Sequence, residues 1–332
     1  MKTNQLFLFI FTLFLFCTAC KKPEEKEYVA PIVSTHQPRE VTDKGAVLIA
    51  SFTKGSENFV EVGFEWKKLK ESEWRTVSGT LLDKRFEAVI TDLEKDVEYS
   101  TKAFVVDSTN KEYFGKEISF RTHGTVTDVD GNVYFSKRYG GKQWTIENLR
   151  VTHYADGTPI EVCNTAVNSD SDGPLCYSDY YHSQNLRNPN FGLLYNWAAA
   201  ARADSCNYVS ISLNLYTQGV CPDGWHLPST REWNELLFLY GGSEVASTHM
   251  RTSNWPKISE FFFTNDTEFS IEPAGYFYNE FLGVFTQANF WTSSGEIEKA
   301  FAVRTGYLQP RFYVGPPPVR KCFGYSVRCV RY

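Results

Sequence analysis

The stretch Cys221-Pro222-Asp223-Gly224-Trp225-His226-Leu227-Pro228-Ser229 leads directly into the clearest helix signal of the chain. Ser229, followed three residues later by Glu232, forms a capping box, in which each side chain binds a backbone N–H of the other residue. Apolar residues at helical spacing and a glycine pair follow: Trp233, Leu236, Leu237, Tyr240 and Gly241-Gly242. The sequence therefore predicts an amphipathic helix after Ser229 and gives Ser229 and Glu232 a structural role.

A second helical pattern lies upstream of this stretch. Its apolar residues recur at helical spacing: Leu193, Leu194, Trp197 and Ala201. We expect one amphipathic helix near Phe191 to Ala203.

Residues 123–332 carry a series of motifs that opens with a hairpin signal, Asp130-Gly131-Asn132 between two apolar runs. The other motifs follow in order: Gln143–Leu149, Tyr154–Ile160, Gly192–Ala198, Cys221–Ser229, Trp291–Ser294 and Gly324–Cys329. Taken together they resemble the Fib_succ_major paralogous (FISUMP) domain, and Cys221–Ser229 is their most specific part. The resemblance implies an α+β fold similar to that of C-type lectins, with two helices flanking small irregular sheets.

Residues 31–122 are built of short alternating runs separated by turn residues, which predicts an all-β sandwich. The runs are Ala46–Phe52, Val60–Lys67, Phe86–Ile90, Tyr99–Val106 and Glu117–Arg121. Leu93, six residues before Tyr99, resembles the tyrosine corner of fibronectin type III domains, in which the tyrosine hydroxyl bonds back to the preceding chain. We expect a fibronectin type III-like spacer here.

The N-terminal residues have the pattern of a secretory signal. Lys2 precedes the apolar run Leu6–Phe16, which is shorter than the roughly 20 residues that cross a bilayer. The small residues before Cys20 resemble the lipobox of bacterial lipoproteins, which implies removal of residues 1–19 and a lipid on Cys20. A plain secretory signal that is cut nearby is the alternative.

Residues 20–30 are charged and predict a solvated tether. Their acidic residues resemble the export signal of some Gram-negative lipoproteins. This resemblance implies an outer-membrane protein that is lipid-anchored and faces the exterior, with no other contact with the membrane.

Six cysteines lie in residues 123–332, and an even number in a secreted protein favours disulfides. Their spacing does not match the common zinc motifs. Six cysteines can pair in several ways. The lectin-like layout implied by the resemblance pairs Cys221 with Cys329, and it leaves Cys163 with Cys176 and Cys206 with Cys322.

The charge and the motifs exclude several classes of function. A net charge of −5 gives no electrostatic footprint for nucleic acid. The sequence contains neither a Gly-x-Ser-x-Gly elbow nor a phosphate-binding loop, and its six histidines do not have metal-ligand spacing. We therefore expect a protein that is not an enzyme.

One polar loop has the ligand spacing of a calcium-binding loop. Asn168, Asp170 and Asp172 alternate, and Asp179 lies at the twelfth position. A plain polar turn is the alternative, because Pro174 interrupts the pattern. We expect no other cofactor.

The calcium site of true C-type lectins uses Glu-Pro-Asn and Trp-Asn-Asp. Glu272-Pro273-Ala274 and Trp291-Thr292-Ser293 lack those donors, so the resemblance does not imply calcium-dependent sugar binding.

Aromatic residues make up 16% of the chain and are the remaining functional signal. Most are needed for the core, but tyrosines on loops are suited to stack on sugar rings. The candidates are Tyr177, Tyr180, Tyr181, Tyr278, Tyr307 and Tyr313, of which the last two border a stretch expected to be a loop. The first expectation is non-catalytic binding of an extracellular glycan. The alternative is recognition of a surface protein, as an adhesin or a component of a surface assembly.

Overall fold

The computed structural model describes residues 28–163, 176–179, 186, 188–203, 216–257, 262–296 and 299–332. Their secondary structure is mostly β-strand, with three short α-helices. No helix in this part of the chain is long and apolar enough to cross a membrane. The signal, Cys20 and most of the tether lie outside the described residues.

The first part of the chain is a sandwich of two antiparallel sheets, as the sequence predicts. Its strands are β1 (Ile32–Arg39), β2 (Ala46–Thr53), β3 (Phe59–Lys68), β4 (Arg75–Ser78), β5 (Thr80–Leu82), β6 (Arg85–Ile90), β7 (Glu98–Asp107), β8 (Glu112–Phe114) and β9 (Ile118–Arg121). One sheet has the order β1-β2-β6-β5, and the other has the order β4-β3-β7-β8 with β9 also paired to β7. The inward residues of both sheets form one core.

Aromatic rings fill the centre of the sandwich. Phe64 and Phe86 are fully buried, and their ring centroids are 5.1 Å apart. The Tyr99 hydroxyl accepts a hydrogen bond of 2.9 Å from the Glu94 backbone N–H. This is the bond back to the preceding chain that the spacing of Leu93 and Tyr99 predicts.

The second part of the chain contains small sheets. Its strands are β10 (Gly124–Thr127), β11 (Val133–Tyr139), β12 (Lys142–Thr145), β13 (Glu161–Val162), β14 (Cys176–Ser178), β15 (Leu194–Tyr195), β16 (Tyr276–Tyr278), β17 (Glu280–Leu282), β18 (Gln287–Gly295), β19 (Lys299–Gly306), β20 (Gln309–Arg320) and β21 (Val330–Arg331). The sheets have the orders β10-β11-β12-β21, β13-β14-β15, β16-β17 and β18-β19-β20. The predicted hairpin is the β10–β11 pair, in which Thr127 lies opposite Val133.

The described helices are α1 (Trp197–Ala201), α2 (Thr230–Leu239) and α3 (Ser243–Met250). Helix α2 begins as predicted, because Ser229 and Glu232 form both hydrogen bonds of the capping box. Helix α3 starts after the Gly241-Gly242 pair, and the sequence analysis did not predict it. It packs against β20.

The helix expected near Phe191 to Ala203 is much shorter in the structure. Residues 189–191 form a 3-10 turn, Leu194 belongs to β15, and only the five residues of α1 are helical. The Asn196 side chain accepts from the Ala199 N–H and so caps the helix at that point. All five residues of α1 are buried, so the helix has no exposed face and is not amphipathic.

The stretch from Tyr307 to Tyr313, expected to be a loop, is a hairpin of β19 and β20. Strand β20 continues through Pro316, Pro317 and Pro318. Prolines fit there because β20 is the edge strand of its sheet, where a missing N–H costs no ladder hydrogen bond.

Two disulfides cross-link the second part of the chain. Cys221 pairs with Cys329, and Cys163 pairs with Cys176, which confirms both pairings. Cys206 lies outside the described residues, so its pairing with Cys322 stays a prediction. The Cys221–Cys329 bridge joins the segment before α2 to the last strand, where His226 and Val330 also pair through their backbones.

Aromatic rings in edge-to-face contact and the buried Arg328 lie in the core between α2 and the sheets. Trp144, Trp233 and Phe269 contact one another with ring centroids 5.0 to 5.8 Å apart. The buried Arg328 guanidinium donates to the Asn148 side chain at 2.7 Å and to the backbone carbonyl of Ser270 at 2.8 Å. Burial lowers the pKa of Arg328 to about 10, so it stays charged at neutral pH.

Candidate binding site

The sheet of β18, β19 and β20 presents a row of polar and aromatic side chains on one face. Asn289, Arg304 and Tyr313 are consecutive cross-strand partners, and so are Gln287, Gly306 and Gln309. Because side chains on paired residues share one face of a sheet, both rows lie together. The sheet thus combines amide, guanidinium and phenol groups on one surface.

The opposite face of this sheet is part of the hydrophobic core. Phe290, Val303 and Phe312 point to that side and are buried. Their packing fixes the register of the strands, since a slip by one residue would expose them. The polar face is therefore held in place by the core behind it.

The polar face forms the floor of a cleft of about 540 Å³. We refer to this as the first cleft. The side chains that define it are Gln287, Arg304, Tyr307, Leu308, Gln309 and Tyr313. Its volume lies within the usual range for small-molecule sites.

Gly306 leaves the centre of the floor open. A Cβ placed on Gly306 would lie 3.8 Å from the Thr286 carbonyl oxygen and 3.9 Å from Gln287 Cγ, which are ordinary contact distances. A larger residue would therefore fit the backbone but fill part of the cleft.

The Tyr313 hydroxyl is held by two hydrogen bonds. It donates to Gln309 Oε1 at 2.5 Å and accepts from Arg311 Nε at 2.8 Å. The Arg311 guanidinium also lies 4.7 Å from the centre of the Tyr313 ring. These contacts orient the ring before any ligand binds, which reduces the entropy lost on binding.

A β-bulge places Arg311 at this position. Gly306 lies opposite Gln309 and Arg304 lies opposite Tyr313, so one residue of β19 faces three residues of β20. Such a bulge redirects side chains and is frequent next to functional sites.

Arg251 supports the hairpin from the buried side. Its Nη1 donates to the Gly306 carbonyl at 3.2 Å, and its Nη2 donates to Thr305 Oγ1. The guanidinium lies 4.2 Å from the Trp255 ring centre. Burial lowers the pKa of Arg251 to about 9, so the group remains charged at neutral pH.

A second cleft of about 650 Å³ lies beside the first. Residues of α3 form one wall, and Leu308, Gln309 and Arg311 form the other. Leu308 and Gln309 line both clefts. The α3 wall carries Glu244 and His249, and the His249 Nδ1 lies 2.9 Å from both carboxylate oxygens of Asp266.

The structure brings together two of the six predicted tyrosines. Tyr307 and Tyr313 line the first cleft. Tyr278 is half-buried against Phe323, with ring centroids 4.8 Å apart. Tyr177 is half-buried in β14, where burial raises its pKa. Tyr180 and Tyr181 lie outside the described residues.

The predicted calcium loop falls almost entirely outside the described residues, so calcium binding there stays a prediction. Asn168, Asp170 and Asp172 lie outside the described residues, and Asp179 is exposed at the end of β14. Within the described ranges, no group of three or more His, Cys, Asp or Glu side chains is placed to hold a metal ion.

Sequence reasoning did not identify Arg304, Gly306, Gln287 or Gln309. Within β19 and β20, polar residues alternate with buried ones, and this is the signal that could have found them. The bulge and the prolines of β20 interrupt the alternation and conceal it.

His226, in the segment Trp225–Pro228 before α2, has a structural role. It is buried, and its Nε2 lies 2.9 Å from Glu232 Oε1. Burial by itself raises the pKa of Glu232, but hydrogen bonds from His226 and Ser229 outweigh it and lower the pKa below its ordinary value. The pair joins α2 to the preceding stretch.

These features define a mostly β protein whose second part carries a polar, aromatic cleft on a small sheet. Comparison with protein families then identifies that second part. The chain belongs to the Fibrobacter succinogenes major domain family (Fib_succ_major), whose model matches residues 138–331. The comparison with curated proteins finds no match.

Each of two similar solved structures matches a minor share of the chain. The sensor domain of the anti-sigma factor RsgI4 in Pseudobacteroides cellulosolvens is 16% identical with a TM-score of 0.23, over 28% of this chain and 93% of that one. A fibronectin type III domain derived from the human KIAA0970 protein is 13% identical with a TM-score of 0.23, over 33% of this chain and 82% of that one. At these scores the likenesses carry no argument about function.

Proposed function

We propose that this protein is a lipid-anchored bacterial surface protein that binds a glycan without transforming it. In this proposal, Cys20 carries the lipid in the outer membrane, the sandwich is a fibronectin type III-like spacer, and the second part is a C-type-lectin-like binding domain. The first cleft is the binding site.

The observation that carries the proposal is the composition and rigidity of the first cleft. Tyr313 offers an aromatic surface, and its hydroxyl is fixed by Arg311 and Gln309. Gln287 and Arg304 lie beside it with planar hydrogen-bonding groups. Sugars present apolar ring faces and hydroxyls, so an ordered tyrosine among amides and a guanidinium matches both.

In this chain, residues of the two segments that correspond to the calcium-binding motifs of true lectins are buried. Their burial supports a sugar-binding site elsewhere. The Glu272 carboxylate is buried and accepts hydrogen bonds of 3.0 and 3.2 Å from the Asn254 side chain. Trp291 is also buried. The proposal therefore assigns sugar binding to the first cleft and requires no metal.

The contacts of the first part support a spacer role. The Glu94–Tyr99 hydrogen bond resembles the tyrosine-corner contact of fibronectin type III domains. Acidic and basic side chains pair across the surface of the sandwich, as in Lys102 with Glu65 at 2.8 Å. Such mixed charge gives no patch of one sign for a charged partner.

A glycan array with the full chain in detergent tests the proposal. Gly306→Val should weaken binding at least tenfold, because the side chain fills the floor of the first cleft, while the thermal midpoint stays unchanged. Gly141→Val is the matched control, since nothing lies within 4 Å of a Cβ placed there. Equal loss in both variants, or no loss in Gly306→Val, would remove the first cleft from the site.

Protein recognition is the second candidate. Leu308 is 71% exposed at the tip of the hairpin, and Phe238 is 82% exposed on α2. Large exposed apolar residues are common at protein interfaces. If the array shows no bound glycan, this candidate replaces the first.

A further inference from the structure

We propose that the glycan is a polyuronate, a chain of sugars that carry carboxylates, and that it crosses both clefts with Arg304 and Arg311 as its carboxylate contacts. This inference rests on the proposed function and adds the class of sugar. Two observations lead to this inference. The clefts meet at one hairpin tip, and two arginines that line them lack a close carboxylate partner among the described residues.

The two clefts meet at the tip of the hairpin. Leu308 and Gln309 line both of them, so an extended ligand that lies across the tip would have a path through both clefts. Gln309 also accepts the hydrogen bond from Tyr313 in the first cleft. A ligand that extends past one sugar ring would therefore run from Tyr313 towards α3.

The Arg304 guanidinium, which lines the first cleft, does not use all of its N–H donors within the described part of the chain. Its Nη2 donates to the Pro317 carbonyl at 3.3 Å, and its Nε is buried with no hydrogen-bond partner in the described part of the chain. No carboxylate among the described residues forms an ion pair with it. A guanidinium has five N–H donors in a planar fork that matches a carboxylate.

Arg311 supplies the second charge, at the boundary of the clefts. Its Nη1 is 4.0 Å from Glu244 Oε1, and the Arg311 and Glu244 side chains are 49% and 76% exposed. A contact at that distance between exposed groups adds little stability and is readily exchanged for another carboxylate. Because Arg311 contacts Tyr313 and Arg304 lies opposite Tyr313, the two arginines flank the same ring.

The charge of the path differs from that of the whole chain. The side chains that line it include two arginines against the single carboxylate of Glu244, and His249 is paired with Asp266. The whole chain carries a net charge of −5. A net negative chain does not attract a polyanion, so its binding must come from this local arrangement.

A polyuronate matches the order of these groups along the path better than a single anion does. Between the two arginines lie the neutral groups of Tyr313 and Gln309, which are suited to a sugar ring and its hydroxyls. An acidic polysaccharide repeats this alternation of ring and carboxylate along its chain. The match is therefore to repeated carboxylates rather than to one phosphate or sulfate.

Matched polymers test the charge directly. The dissociation constants of the full chain are measured by calorimetry for polygalacturonate, alginate and glucuronoxylan, and for each polymer after its carboxyl groups are esterified or reduced. Binding of at least one acidic polymer, about tenfold weaker after neutralisation, is the expected result. Binding should also weaken as salt rises from low to physiological concentration.

Matched variants test the residues. Arg304→Gln and Arg311→Gln should each weaken binding of the acidic polymer about tenfold, and they should weaken binding of the neutralised polymer clearly less, because only the acidic polymer loses a charge contact. Arg320→Gln is the control, because Arg320 is exposed on the same strand but lines neither cleft. Circular dichroism and thermal midpoints check that all three variants fold.

The outcomes separate this inference from the proposed function. Equal affinity for acidic and neutralised polymers, or binding of neutral or sulfated glycans alone, overturns the polyuronate assignment and leaves glycan binding standing. Loss of binding in Arg320→Gln equal to that in Arg304→Gln overturns the assignment of the contacts. If no glycan of any kind binds, both proposals fail.

Discussion

Arg251 donates a hydrogen bond of 3.2 Å to the carbonyl of Gly306 from the side of the sheet opposite the first cleft. The same guanidinium binds Thr305 Oγ1 and packs against Trp255. A buried charge is costly unless its donors are used, and here the partners belong to the hairpin. The position of the cleft floor is thus coupled to a core residue on the other side of the sheet.

Replacement of Arg251 should therefore affect both stability and binding. Arg251→Lys keeps the charge, but an ammonium cannot reproduce the planar fork that contacts Thr305 and Gly306 together. We expect a loss of about 2–3 kcal/mol in the free energy of unfolding, measured with urea. We also expect weaker glycan binding in the folded variant.

Arg231→Lys is the control for Arg251. The Arg231 side chain is 82% exposed on α2, so the same change there should alter the free energy of unfolding by no more than about 0.5 kcal/mol. Similar losses in the two variants would show that the contacts of Arg251 with the hairpin are unimportant.

The two disulfides should differ in their contribution to stability. Cys221 and Cys329 are 108 residues apart, whereas Cys163 and Cys176 are 13 apart. In the chain-entropy model, removal of the longer loop costs about 4–5 kcal/mol and removal of the shorter one about 3 kcal/mol. Paired Cys→Ala variants, unfolded in urea, measure both losses. A larger loss for the shorter loop would contradict the order.

The Tyr99 hydroxyl should stabilise the sandwich. Tyr99→Phe removes the acceptor of the Glu94 N–H and keeps the ring, which packs on Phe120 at a centroid distance of 5.8 Å. We expect a loss of about 1 kcal/mol. An unchanged urea midpoint would mean that water replaces the hydroxyl at no cost.

Local signals made the sandwich strands and α2 predictable. The capping box of Ser229 and Glu232 needs only four consecutive residues, and the tyrosine corner needs seven. The β10–β11 hairpin likewise follows from its turn residues. Each of these features is decided by neighbours in the sequence, so the sequence alone contains the information.

The first cleft could not be predicted in the same way. Its floor joins residue 287 to residue 313 through three strands, and the pairing is set by the packing of Phe290 and Val303 behind it. Tyr307 and Tyr313 were visible as candidates, but the polar partners were not. The short α1 shows the same limit, since Leu193 and Leu194 have helical spacing but are buried before the helix begins.

Glu268 should make stability depend on pH where the two parts of the chain meet. Its carboxylate lies 3.1 Å from His123 Nε2, just after the sandwich, and also pairs with Lys137 of β11. Burial by itself raises the pKa of Glu268, but the bond from His123 and the charge of Lys137 outweigh it, so the pKa lies below the ordinary value of 4.5.

A carboxylate whose pKa is lowered by folding stabilises the protein fully above its unfolded pKa, and this contribution is lost as pH falls through the folded pKa. Glu268→Gln should therefore be less stable than the natural chain by about 1–2 kcal/mol at pH 7. The difference should shrink as pH falls below 4.5. Urea unfolding from pH 3.5 to 7 measures it, with the exposed Glu117→Gln as control. A difference that stays constant down to the lowest pH would show that the ionised carboxylate of Glu268 does not stabilise this contact.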